Sequence, residues 1–119
     1  MGYYAIRLEH RRERMELRNE HVYIPDLPGN DKLPDAEKVK VIYRKPSWGE
    51  VVGDEEIVKG DYRALVARCA PRILRIENLF VSGVAITDAA AAMSHPELPA
   101  VVAMDLIVGP FKTATEEKN

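Results

Sequence analysis

Between Asp61 and Phe80 the stretch DYRALVARCAPRILRIENLF repeats its apolar residues at helical spacing. Tyr62, Val66, Cys69, Ile73, Ile76 and Phe80 follow at steps of four, three, four, three and four, with Leu65 inside the same stripe. Asp61 stands where a side chain accepts the free amides of a first turn. Pro71 interrupts the pattern, because it has no N–H to give to the Ala67 carbonyl and its ring crowds that turn. It falls opposite the apolar stripe, so the spacing predicts one bent helix about 30 Å long, curved around a core. The alternative is a break at Pro71, with Ile73 to Phe80 extended.

The rest of the chain is read around this stretch. Tyr4, Ile6 and Leu8 alternate with Tyr3, Ala5 and Arg7, which predicts a short strand over 3–8. Val22, Tyr23 and Ile24 form a brief apolar run closed by Pro25, and Pro25 to Pro34 is a loop by its prolines and its Pro-Gly-Asn-Asp turn signal. Val39, Val41 and Tyr43 alternate with Lys38, Lys40, Ile42 and Arg44 as in a half-buried strand, which Pro46 ends. Ser47 and Glu50 have capping-box spacing, so a helix starts there with Trp48, Val51, Val52 and Val58 on one face. Gly49 and Gly53 weaken it by about 1 kcal/mol each, and it must be held by packing. Gly60 suits the left-handed end of that segment. Val81 to Thr87 reads as a turn with a short extended piece, and Thr87 or Asp88 caps an alanine-rich helix over Ala89 to Met93. Ala100 to Val108 is apolar nearly all round, as a helix or as a central strand, and Gly109-Pro110 is expected to stop it.

These elements predict an α+β chain of one domain, mostly helical, with a small N-terminal antiparallel β element. Residues 1–46 are rich in strand and loop, 47–110 helical, and 111–119 a polar tail.

Chemistry is sparse. A net charge of −2 disfavours a nucleic-acid partner, and the one locally basic run, Arg7 to Arg18, interleaves its arginines with Glu9, Glu13 and Glu16. No apolar run is long enough for a membrane span and no leader is read, so a cytosolic protein is expected, with no membrane partner. His10, His21 and His95 lack metal-ligand spacing to one another or to Cys69, which is expected to be an inert core residue. Glu55-Glu56 and Glu116-Glu117 are adjacent pairs whose side chains diverge, and neither a GxGxxG, a P-loop, a calcium loop nor a nucleophile elbow occurs. No enzyme activity, cofactor or metal is expected.

Four segments resemble the small tail assembly chaperones of tailed bacteriophages. They are a strand followed by Pro-x-Trp and an acid (VIYRKPSWGE), an Asp-started helix after a polar break (DYRALVARCAPRILRIENL), a Gly-x-x-Ile-Thr turn (GVAIT) and a short polar tail ending EEKN, spanning roughly residues 39–119. The first 20 residues and Pro71 depart from the family pattern. The resemblance implies a binding protein of the host bacterial cytoplasm, with the tape-measure protein and tail-tube subunits as partners. The apolar surface this needs is expected at Leu98, Val101, Val102 and Leu106, and the free chain is expected to self-associate through it. The competing assignment puts Ala100 to Val108 and the Tyr62 stripe into one core. Two other classes stay open: a permanent structural subunit of a tail or neck, and a bacterial adaptor or regulatory module unrelated to phage.

Overall fold

The computed structural model describes residues 16–117, with side chains as far as Lys112. Among these residues β1 (His21–Tyr23), β2 (Lys40–Tyr43) and β3 (Ile73–Glu77) form an antiparallel sheet in the order β1-β2-β3. β4 (Phe80–Val81) and β5 (Val84–Ala85) form a separate hairpin. The helices are α1 (Trp48–Asp54), α2 (Tyr62–Cys69), α3 (Ala89–Ser94) and α4 (Ala100–Glu117). The expected strand over 3–8 lies outside the described residues.

Pairing of Tyr23 with Val41 and of Val41 with Ile76 sets one face of the sheet against the core. The other face carries Val22, Ile42 and Arg75 in register. Ile42 is nonetheless buried, on the face where Arg75 of β3 reaches Glu20, 2.8 Å away. On the core side α4 packs against α2, α3 and β2, and Leu106, Ile107 and Val108 meet Val41, Ile76 and Cys69.

The single bent helix over 61–80 does not form. α2 ends at Cys69, Ala70–Arg72 make one 3-10 turn around Pro71, and Ile73 turns extended into β3. Because Ile42 pairs with Arg75 and Tyr43 with Ile73, Leu74 is an extra, bulged residue. The bulge puts Ile73 and Ile76 on the same face three residues apart, a spacing that a regular strand does not give and a helix does. Tyr62 and Phe80, the ends of the expected stripe, are exposed.

With strands distributed over 21–85, the chain is not the mostly helical domain with an N-terminal β element that the periodicity predicts. The segment 47–110 contains three of the five strands described. Gly109-Pro110 does not stop α4 either, and the backbone of the supposed polar tail is helical to Glu117. Continuing through Pro110 brings Phe111 edge-on to Tyr43, 5.4 Å between ring centroids, and under the Arg72 guanidinium. Those contacts offset the lost backbone bond.

Local chemistry read from sequence holds where it is satisfied within one turn. Asp61 and Asp88 accept the amides of Ala64 and Ala91, and Gly60 has φ +92°. The hairpin turns on Ser82 and Gly83, both at positive φ, as a two-residue turn requires. The proline-rich loop is pinned from within by Asn30, whose side chain is buried and bonds Pro25 and both backbone groups of Val39.

Candidate protein-interaction face

α1 begins as predicted. The Ser47 hydroxyl accepts the Glu50 amide at 3.3 Å, and the Glu50 carboxylate accepts the Ser47 amide at 3.0 Å. Trp48, Val51 and Val52 share one side, with Glu50, Gly53 and Asp54 on the other, but the helix ends at Asp54, so Val58, expected on the same face, lies beyond it. The orientation is reversed. The polar side faces the protein, the apolar side faces water, and no residue of α1 is buried. Trp48 is 82% exposed, with Val51 and Val52 exposed beside it.

An ion-pair lattice holds the helix in this attitude. Arg72, only 2% exposed at the entrance to β3, donates to both Asp54 oxygens at 2.8 and 2.9 Å and through Nε to Glu50 at 3.2 Å. Arg44, just past β2, donates to both Glu50 oxygens at 2.6 and 3.1 Å. These are forked, charge-assisted bonds, which fix geometry as well as supplying energy. Gly53 completes the fit, since a Cβ there would stand 2.4 to 2.8 Å from the Arg68 guanidinium. Hydrogen bonds from Arg44, then from the Ser47 amide, hold the Glu50 carboxyl well below the usual carboxylate range against the opposing effect of burial. Burial works against the Arg72 charge, but Asp54 and Glu50 outweigh it and raise its pKa.

Exposed apolar surface continues beyond α1. Val58 and Tyr62 are 73% and 65% exposed, and with Ile57 and Leu65 they line an open groove of about 300 Å³ between the end of α1 and the start of α2. Its charged margin is Asp54, Lys59 and Asp61. A groove this small and open does not enclose a small molecule, but it suits the side of another protein.

The partner-binding residues expected from sequence are not brought together on a surface. Leu106 is wholly buried, and Leu98 and Val102 pack against the core from partly covered positions. Val101 alone of the four is open to water, at 77%. α4 packs on β2, α2 and α3, so its apolar length from Val102 to Val108 belongs to the core. Cys69 is buried, and burial pushes its thiol up to about 11.

Among the described residues no cluster of His, Cys, Asp or Glu has the makings of a metal site, and no helix is long and apolar enough to cross a membrane. No family model, curated protein or solved structure matches this chain.

Proposed function

We propose that this chain is a non-enzymatic binding protein whose working surface is the outward face of α1, and that it serves as a tail assembly chaperone in the cytoplasm of a host bacterium. In this reading Trp48, Val51 and Val52 cover an apolar helical segment of the tape-measure protein until tail-tube subunits replace the chaperone. One observation carries the binding role: a helix with a well-formed apolar side is fastened by its polar side, leaving a tryptophan in water. Such a face gains nothing for folding, and exposed tryptophan is the residue type most often central to a protein interface. The choice of tape-measure and tail-tube partners comes from the sequence resemblance.

Co-expression with a tape-measure fragment tests it. The chain is expected to co-purify with the fragment and to be absent from finished particles. Trp48→Ala combined with Val52→Asp is expected to abolish co-purification with circular dichroism unchanged. Full retention by that variant would remove α1 from the interface, and recovery of the chain from purified virions would make it a permanent structural subunit.

A further inference from the structure

We infer that the α1–α2 face receives a basic amphipathic helix, an inference that rests on α1 being the working surface and adds the chemistry of what binds it. The segment from Glu50 to Asp61 carries five carboxylates, Glu50, Asp54, Glu55, Glu56 and Asp61, against the single cation Lys59. Glu50 and Asp54 are neutralised from inside by Arg44 and Arg72. Glu55 and Glu56, where α1 ends, are exposed and have no cationic partner among the described residues. Asp61 caps α2 at the rim of the groove. Beside the groove the exposed carboxylates Glu55, Glu56 and Asp61 face two exposed cations, Lys59 and Arg63, so the border of the apolar strip carries a net excess of one negative charge.

That border selects among occupants. A second copy meeting this face by a twofold axis would bring the same net-acidic strip to the interface and so offers it no charge complementarity. An extended peptide adding a strand has no sheet edge here, because α1 and α2 satisfy their own backbone groups and β1 and β3 are the edges of the sheet. A helix with apolar residues every three to four positions and lysine or arginine beside them meets both features: its apolar ridge lies along Trp48 and Val52 and into the groove at Val58 and Tyr62, and its cations face Glu55 and Glu56.

The chain's one tryptophan is the reporter, since Trp48 emission moves to the blue when water leaves it. The full chain is titrated with a synthetic helical peptide of leucine and lysine at amphipathic spacing, and separately with its leucine–glutamate counterpart. The lysine peptide is expected to shift Trp48 and to bind about tenfold more tightly at low salt, a preference that Glu55→Gln with Glu56→Gln removes. Asp31→Asn with Glu37→Gln, an equal change of net charge beside the other end of β2, is expected to leave the preference intact. Equal binding of both peptides at Trp48 would overturn the basic-partner inference and leave the α1 surface standing. No response of Trp48 to either peptide or to the tape-measure fragment would overturn both. Binding of the lysine peptide without the fragment would retain the inference and remove the tape-measure reading. Trp48 emission already blue in the free chain overturns the inference too: through a second copy if it depends on concentration, through the chain's own residues if it does not.

Discussion

In α4, Leu106 and Ile107 turn toward the sheet and Val101 toward water, whereas α1 meets the same body of the molecule with Glu50, Gly53 and Asp54 and leaves Trp48, Val51 and Val52 outside. Each mode of docking has its own balance. Burying a leucine or isoleucine contributes about 1.5–3 kcal/mol and requires no partner geometry. A buried arginine must be matched atom for atom, and even then the pair roughly breaks even against an apolar replacement. Charged docking is thus a poor way to gain stability, and its merit lies in what it leaves free. α4 supplies cohesion, and α1 is displayed.

Four measurements test this contrast. The largest effect is expected at Leu106: Val102→Asp with Leu106→Asp places a carboxylate where no water reaches and should leave no folded protein by sedimentation and circular dichroism, while Leu106→Ala costs about 2–5 kcal/mol in urea denaturation. A folded double variant would return α4 to the surface. Next, Arg72→Ala should cost about 3 kcal/mol, because it strands Asp54 and Glu50 against the protein and removes the cation over Phe111. A cost near zero would mean that α1 is held by something other than this lattice.

Acid is a gentler probe of the same lattice. Glu50 titrates below its unfolded value, so its contribution is fully present above the ordinary carboxylate range near pH 4.3 and is lost as pH falls through the lower folded pKa. The stability difference between the parent and Glu50→Gln should therefore be constant above about pH 5 and shrink steadily below pH 4. A difference that grew on acidification would show that the carboxyl is held neutral rather than ionised. The smallest effect is expected at Trp48→Ala, below about 0.5 kcal/mol, since so exposed a side chain leaves no cavity. A loss of 2 kcal/mol or more would put Trp48 in contact with the fold and end the comparison.

What could be read from the sequence follows the range of the interaction. The caps at Ser47, Asp61 and Asp88 are decided within four residues, and all of them form; Gly60 is left-handed as read, but six residues beyond the end of α1 and not at it. The strand around Val41 is legible from the alternation of Val39, Val41 and Tyr43 in the sequence, but the expected charged outer face is not, since Ile42 on it is buried as deeply as the core side. The helix over 61–80 is misread because the Leu74 bulge gives β3 a three-residue apolar step, and only pairing with β2 distinguishes the two. The side of α1 that packs on the protein is misread for a related reason. Hydrophobic pattern defines the two sides of α1 but not which one faces the protein, and that choice belongs to Arg72, 18 residues away from Asp54. One signal was available: two acids at positions i and i+4 of α1, Glu50 and Asp54, oppose the apolar side, with arginines at positions 44, 68 and 72 to receive them.

The hydrogen bond from the Tyr23 hydroxyl to Asp105 joins residues 82 positions apart, and Asp105 also accepts the Asp26 amide while Gly109 admits the tyrosine ring against the helix. Synthesis proceeds from the other end. A nascent chain can make β1, β2 and β3 early, and Cys69, Ile86, Ala89 and Ala92 cover part of Val41 and Ile76, but the core is not complete until Leu106 and Ile107 emerge. The domain therefore cannot close while most of it is already outside the ribosome, and it acquires its stability in one late step of high sequence separation. Ribosome-bound chains that stop short of Leu106 should be open to protease along β2 and β3, and chains carried past Phe111 on a C-terminal linker long enough to bring α4 out of the exit tunnel should be protected there.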